Sequence, residues 1–268
     1  MTKKIAFINE KGGVGKTTAI FQIAGCLSSM GEKVLVIDLD KQKNISELFL
    51  SEEECDYDML THSPTVLDFL KGKKSAKEVV MGSYIRNKAN SKPRYRNIDV
   101  MPSDSRLSDT RHLKNINVAD RLNEFLEEGG YTYCLIDMPP SNKKITDICF
   151  EQMADYLLVP CTSDSSSMTG YSDLMKDMDN ARIHNPNLEI LGFFLSDYSP
   201  TGHDNYLKNV FSQKYGREFI DVQIPHSSHV KESRMFLRPL VYYKRNSIAR
   251  ASYEELTVEI MYRIEEKM

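Results

Sequence analysis

Residues 9–18 read NEKGGVGKTT and follow a short apolar run at residues 5–8. A helix-like stretch, residues 19–29, comes directly after them. A glycine-rich loop between a buried strand and a helix is the usual context of a phosphate-binding P-loop. The loop's N–H groups and the positive end of the helix bind phosphate oxygens, and glycine leaves room for them. The sequence therefore predicts a P-loop, with two lysines, Lys11 and Lys16, where one would serve.

The loop residues have predicted roles in binding a nucleoside triphosphate and Mg²⁺. The residues expected to contact the nucleotide are Gly12, Gly13, Val14, Gly15, Lys16, Thr17 and Thr18. Lys16 is expected to neutralise the β- and γ-phosphates, and the Thr17 hydroxyl is expected to be a Mg²⁺ ligand. The alternative is a glycine-rich turn that binds nothing, and the Lys-Thr pair placed after a strand disfavours it.

Short apolar, β-branched runs alternate along the chain with amphipathic stretches, which is the pattern of βαβ units. Strands are predicted at residues 4–8, 34–37, 98–101, 133–137, 156–160, 190–195 and 220–224. Helices are predicted at residues 17–29, 118–127, 143–153, 172–184, 206–215 and 247–266. Because the strands are continuously apolar, both faces of their sheet should be covered. We predict an α/β fold with a mostly parallel twisted sheet flanked by helices, in a single domain at residues 1–268.

Composition limits the class of protein. No apolar run approaches the ~20 residues of a membrane span, and the N-terminus enters a strand pattern at once, so we expect neither an anchor nor a signal peptide. The five cysteines are widely spaced, which is typical of a reducing compartment and not of a disulfide or metal framework. We therefore predict a cytoplasmic protein.

Charge is unevenly distributed, although the net charge is only −3. Residues 46–68 include seven acidic and no basic side chains, whereas residues 71–96 include nine basic and one acidic. Residues 231–250 include six basic and one acidic. We predict a basic surface loop at about residues 86–97. Each run alone is typical of a solvated surface, but two basic stretches in an acidic chain also indicate a polyanionic partner.

Three aspartates lie at the ends of predicted strands, where ligands bind in open α/β sheets. Asp137 ends one apolar strand, and its carboxylate is expected to hold Mg²⁺ through water. Asp38 and Asp40 end another strand, and Asp38 is predicted to support Mg²⁺ or the water around it. A helix cap is the commoner role of an isolated Asp after a strand, so that alternative stays open.

Together these motifs resemble the ParA/MinD family of ATPases, and most of all its short ParA-type partition ATPases. The general P-loop pattern begins with glycine, whereas this loop has Glu10 there and Lys11 next, as in the family's deviant Walker A motif. VLVIDLDKQKN at residues 34–44 resembles the family's D-x-D-P-Q-x-N motif, and YCLIDMPPS at residues 133–141 resembles its D-x-P-P strand. The resemblance covers nearly the whole chain and implies a SIMIBI-type P-loop NTPase fold.

The resemblance also implies residue roles and partners. Two subunits would enclose two ATP molecules with Mg²⁺, and Lys11 would reach the nucleotide of the other subunit. Lys11, Lys16 and Asp40 would be the catalytic residues, with Asp40 placing the attacking water. Adenine would lie between the loops at Asp197 and Pro225. The ATP-bound homodimer would bind double-stranded DNA without sequence preference and, with a ParB-like adaptor, position plasmid or chromosomal DNA on the nucleoid.

The second basic stretch supplies the predicted DNA contacts, because binding to phosphates requires clustered Lys and Arg. The candidates are Lys231, Arg234, Arg238, Lys244 and Arg245. The chain departs from the family pattern at Lys41 and Lys43, where Pro and Gly are usual, and at residues 224–229, where I-P-R-x-x-R is common. We interpret His226 and His229 as polar loop residues in preference to metal ligands.

Three other interpretations compete. A MinD-like membrane switch needs a basic amphipathic C-terminal helix, and the predicted C-terminal helix here is acidic. An electron donor like the nitrogenase iron protein needs paired cysteines that hold an iron–sulfur cluster, and neither Cys134 nor Cys149 lies in a convincing context. A metabolic ATP-dependent ligase on the same fold has no substrate-specific motif in its favour.

Overall fold

The computed structural model describes residues 1–50, 63–82, 84–85, 92–93, 97–108, 110, 113, 117–162 and 171–267. Its strands are β1 (Lys3–Phe7), β2 (Val34–Asp38), β3 (Met81–Gly82), β4 (Tyr84–Ile85), β5 (Lys92–Pro93), β6 (Ile98–Met101), β7 (Tyr133–Asp137), β8 (Tyr156–Cys161), β9 (Glu189–Tyr198) and β10 (Phe219–Pro225). Its α-helices are α1 (Lys16–Ser29), α2 (Asn44–Leu50), α3 (Val66–Leu70), α4 (Ala76–Val79), α5 (Val118–Glu128), α6 (Lys143–Gln152), α7 (Tyr171–Ala181), α8 (Gly202–Tyr215), α9 (Ser228–Met235), α10 (Leu240–Tyr243) and α11 (Ile248–Lys267).

Eight strands form one sheet in the order β10-β9-β8-β1-β7-β2-β6-β3. Every neighbouring pair is parallel except β3 with β6, which are antiparallel at one edge. In this register Phe7 of β1 and Asp38 of β2 both lie opposite Asp137 of β7. The loop after β1 and the carboxylates that end β2 and β7 therefore meet at the same end of the sheet.

Helices cover both faces of the sheet, as the continuous apolar strands predict. Along β1, Ile5 and Phe7 belong to a core shared with α1 and α11, whereas Ala6 and Ile8 belong to the core on the opposite face. This division follows from the alternation of side chains along a strand. The predicted α/β fold with a mostly parallel, helix-flanked sheet is confirmed.

The predicted strands and long helices agree with the observed elements to within a few residues at each end. The short helices α2, α3, α4, α9 and α10 were not predicted, because four to eight residues carry too little periodicity. The predicted basic loop at about residues 86–97 lies outside the described residues, apart from residues 92, 93 and 97. Among the helices that the structure describes, none has the length and apolar character needed to cross a membrane. The single domain stays a prediction.

Candidate nucleotide-binding site

The loop between β1 and α1 forms an open cradle at the N-terminus of α1. Gly13 and Gly15 have φ of 80° and 90°, a conformation that strains any residue with a Cβ. Apart from the adjoining residues of the chain, no described residue has an atom within 4 Å of the place a Cβ would occupy at Gly12 or Gly13. Below the loop, the buried Ser196 hydroxyl donates to the Val14 carbonyl at 2.7 Å. The backbone is therefore fixed from one side and open to a ligand on the other.

Lys16 lies at the first position of α1 and points back into the loop. Its Nζ donates to the carbonyl oxygens of Asn9, at 2.8 Å, and Lys11, at 3.4 Å. Burial lowers the pKa of Lys16, while the charges of Asp137 and Asp40 oppose that shift. The ammonium group is thus held in the cradle by backbone oxygens, where it can neutralise an anion.

Asn9 shapes the first half of the loop. Its side-chain amide donates to the Pro160 carbonyl at 2.9 Å, and its Oδ1 accepts from the Lys11 N–H at 2.9 Å. Sequence reasoning missed this residue, because a single Asn after a strand gives no pattern. The backbone of Lys11 is therefore fixed, while its side chain is partly exposed. Its predicted role towards a second subunit stays a prediction.

Thr17 and Asp137 meet beside the cradle. The Thr17 hydroxyl donates to Asp137 Oδ2 at 2.7 Å, and Asp137 Oδ1 is buried without a hydrogen-bond partner among the described residues. Burial raises the pKa of Asp137 to about 7, against the opposing effects of the Thr17 hydrogen bond and of Lys16. An unsatisfied buried carboxylate oxygen is costly. The pair fits Mg²⁺, which typically takes one or two carboxylates, phosphate oxygens and several waters.

Asp38 lies opposite Asp137 in the sheet and is fully buried. Its Oδ1 accepts from the Asp40 N–H at 3.0 Å, and its Oδ2 accepts from the Ser46 N–H at 3.0 Å and the Ser46 hydroxyl at 2.6 Å. Burial, and then the charge of Asp137, raise the pKa of Asp38 well above its ordinary value. These contacts favour a positioning role for Asp38 in the turn that contains Asp40, while its predicted role at Mg²⁺ stays a prediction.

Asp40 is partly exposed in the turn between β2 and α2. Its Oδ1 accepts from the Gln42 N–H at 3.0 Å, and its carbonyl accepts from the Ser103 hydroxyl at 2.6 Å and the Lys43 N–H at 2.9 Å. Lys43 has a φ of 58°, in the left-handed region where glycine is the unstrained residue. This φ explains why glycine is usual at this position of the family pattern. The lysine here adopts the same φ with a side chain present.

The two residues predicted to flank the base lie at the ends of neighbouring strands. Asp197 and Pro225 line a cavity of about 200 Å³ together with Gly13 and Thr18 of the loop. His226 Nδ1 lies 2.7 Å from Asp197 Oδ1. The structure thus brings the predicted base-binding residues to the phosphate cradle, and their contact with a base stays a prediction.

The five DNA-binding candidates fall into two groups. Lys231 and Arg234, on α9, line the same cavity as the phosphate cradle. The other three are exposed on the segment that follows α9, and they do not line the cavity: Arg238, Lys244 and Arg245. Only the second group therefore lies outside the lining of the nucleotide cavity.

Other residues considered from the sequence have ordinary structural surroundings. Cys134 and Cys149 are completely buried, and burial raises the pKa of both thiols. A cluster bridging two subunits needs ligands at the surface, so these positions give the iron–sulfur interpretation no support. His229 Nδ1 lies 3.2 Å from the Ser247 hydroxyl, while His226 faces Asp197. The two histidines thus have separate polar partners.

A strand, a phosphate cradle and a helix, with a buried carboxylate at the end of the adjacent strand, define a P-loop nucleotide-binding protein. A family model described as an AAA domain matches residues 2–190. The chain belongs to this family, as a ParA-type member of the ParA/MinD ATPases, which confirms the family predicted from the sequence.

The similarity to known relatives extends over nearly the full length of the chain. The chain is 28% identical over 269 residues to the chromosome partitioning protein ParA of Caulobacter vibrioides, covering 97% of this chain and 94% of the relative. It is 27% identical over 270 residues to the sporulation initiation inhibitor protein Soj of Bacillus subtilis, covering 97% and 98%. Cobyrinic acid a,c-diamide synthase from Mycobacterium smegmatis, solved with a bound ATP analog and magnesium, has a TM-score of 0.79 at 21% identity, with 100% and 97% covered. That structural likeness shows the shared fold.

Proposed function

We propose that this ATPase is a partition switch that uses ATP and Mg²⁺. In the proposed cycle, ATP drives homodimerisation, the dimer binds double-stranded DNA of any sequence, and slow hydrolysis, stimulated by a ParB-like adaptor, releases it. The observation that carries the proposal is the cradle itself, where Lys16, Thr17 and Asp137 already supply what one nucleotide needs. Lys11 is an additional cation on a fixed backbone at the rim. The chromosome-partitioning names of the relatives support a role in positioning DNA.

The residues of the cradle account for nucleotide binding. Backbone N–H groups and the N-terminus of α1 attract phosphate oxygens. Lys16 neutralises phosphate charge, and Thr17 with Asp137 would hold Mg²⁺. When bound, Mg²⁺ neutralises the charge that develops on the transferred phosphoryl group. The buried surroundings strengthen each of these electrostatic interactions.

Asp40 is the proposed catalytic carboxylate. It is partly exposed at the end of β2, and the Ser103 and Asp38 hydrogen bonds fix its backbone. It acts electrostatically on Lys16 of the cradle. A carboxylate in this position can accept a hydrogen bond from water and orient it towards the terminal phosphate.

The exposed Arg238, Lys244 and Arg245 form the proposed DNA contacts. They belong to the segment that begins at α9, which borders the nucleotide cavity. A dimer doubles this positive surface, and each phosphate contact adds to affinity and to its salt dependence. DNA binding would therefore depend on nucleotide state because only the ATP-bound dimer presents both copies together.

The test is binding to a non-specific DNA duplex at fixed salt, with ATP–Mg²⁺ and with ADP–Mg²⁺. We expect tight binding with ATP only. Lys11→Ala should lose both the ATP-dependent dimer and DNA binding while still binding ATP. Lys176→Ala, at an exposed lysine on α7, is the matched control and should behave as the wild type.

Two outcomes would contradict parts of the proposal. A dimer unaffected by Lys11→Ala would exclude the role of this lysine towards the other subunit. An ATP-dependent dimer that does not bind DNA would show that the dimer does not act on DNA. It would favour a MinD-like protein that acts on a membrane or a protein scaffold. Sedimentation with lipid vesicles would then distinguish a membrane from a protein scaffold.

A further inference from the structure

Helix α9 forms one wall of the nucleotide cavity. The cavity of about 200 Å³ is lined by Gly13 and Thr18 of the P-loop and by Lys231 and Arg234 of α9. Pro225, at the predicted base site, also lines it. Two cations therefore line the same cavity as the P-loop.

Arg234 makes direct contact with the P-loop. Its Nη1 donates to the Thr18 hydroxyl at 3.4 Å, a long hydrogen bond. Its charge also acts on Asp137, whose pKa it lowers against the larger effect of burial. Among the residues that the structure describes, neither Lys231 nor Arg234 forms a salt bridge. Asp197 also lines the cavity, but its carboxylate faces His226. Two cations without carboxylate partners, next to a P-loop, therefore make the cavity attractive to an anion.

A buried hydrogen-bond network fixes α9 on α1. Gln22 of α1 donates from Nε2 to the Ser233 hydroxyl at 2.8 Å, and its Oε1 accepts from the Leu240 N–H at 2.7 Å. Gln22 and Ser233 are 1% and 0% exposed. Ser233 immediately precedes Arg234, so the guanidinium group is carried by backbone that is anchored to the helix of the P-loop itself.

We infer that Arg234, assisted by Lys231, binds the nucleotide's phosphate chain at the end next to the nucleoside. This inference rests on the proposed nucleotide site. Lys16 occupies the cradle, whereas Arg234 contacts Thr18, two residues further along α1, and lines the cavity that also contains Pro225. A guanidinium group there can form two parallel hydrogen bonds to one phosphate, which an ammonium group cannot. Arg234 and Lys231 thus serve nucleotide binding in both the ATP and the ADP state, and not DNA.

The test measures affinity for a fluorescent ADP, N-methylanthraniloyl-ADP, in Mg²⁺. Arg234→Gln should weaken binding about tenfold or more, the range expected for a lost hydrogen bond to a charged group, and Arg234→Lys should lie in between. Arg238→Gln, four residues further on and outside the cavity, is the matched control and should bind ADP within about twofold of the wild type. Without nucleotide, Arg234→Gln and Arg238→Gln should unfold at the temperature of the wild type, because both side chains are exposed.

A DNA measurement at saturating ATP separates the two roles. Arg234→Gln should bind the duplex as the wild type does, whereas Arg238→Gln should bind it more weakly. An ADP affinity of Arg234→Gln within twofold of the wild type would overturn the inference, and so would weaker DNA binding with intact ADP affinity. If the wild-type protein binds ADP but not DNA, the partition proposal fails while the ADP result still decides the role of Arg234.

Discussion

The P-loop, residues 9–18, and the segment at residues 224–247 border the same cavity but are built by different means. The loop is fixed by local backbone geometry, with Gly13 and Gly15 at positive φ directly before α1. The later segment contains two short helices that are fixed from far away in the sequence. Its Ser233 and Leu240 form hydrogen bonds with Gln22, which lies more than 200 residues earlier in the chain.

The difference shows why one region was predicted and the other was not. A phosphate cradle needs particular residue types at a fixed spacing, so its chemistry is visible in ten residues. The placement of α9 and α10 needs a partner surface on α1, and Gly25 is part of the surface that meets the start of α10. A Cβ at Gly25 would lie 2.4 Å from the Pro239 side chain, closer than any real contact. The segment can pack on α1 only because this position is glycine.

The largest expected effect tests the region around the loop. Asp40→Ala should lower ATP turnover about 100-fold or more, the usual scale for a positioned general base, because the attacking water would lose the carboxylate that orients it. ATP affinity should change little, so the ATP-bound dimer should accumulate. Phosphate release and light scattering would measure the two effects.

The control for this variant is Asp173→Ala, at an exposed aspartate on α7, which should leave turnover unchanged. If Asp40→Ala hydrolyses ATP at the wild-type rate, the catalytic carboxylate must be assigned elsewhere. The chemistry would then not be confined to the strand ends that the sequence identifies.

The second prediction tests the distant anchor of the other region. Gln22→Ala should lower the free energy of unfolding by about 2 kcal/mol. The substitution removes the hydrogen bonds that the Gln22 amide makes to the buried Ser233 hydroxyl and to the Leu240 N–H. ADP affinity should also fall, since Arg234 would no longer be held at the cavity. Urea unfolding and ADP titration would measure these effects.

Gln213→Ala, at an exposed glutamine in α8, is the matched control and should change stability by less than about 0.5 kcal/mol. Equal effects of the two substitutions would mean that the Gln22 network does not hold the segment. The contrast between locally and distantly fixed regions would then be lost.

The same contrast explains which parts of the site were predictable. Thr17 and Asp137 were predicted to be Mg²⁺ ligands because each stands at a fixed place in a local motif, and the structure brings them together. Asn9 and Ser46 were not predicted, although each fixes part of the site by a hydrogen bond to the backbone or to a carboxylate. Such contacts depend on which strands become neighbours. A single amide or hydroxyl group leaves no periodic signal of them.

The smallest expected effect lies outside the P-loop, at the turn that contains Asp40. Lys43→Gly should raise the free energy of unfolding by about 0.5–1 kcal/mol, because the strain of a side chain at φ 58° exceeds the entropy cost of glycine. Lys41→Gly, two residues earlier and without a positive φ, should lower it by a similar amount. Thermal unfolding of both variants in parallel would measure the difference. If Lys43→Gly is as destabilising as Lys41→Gly, contacts of the Lys43 side chain outweigh the strain, and local backbone geometry does not determine this turn as it determines the P-loop.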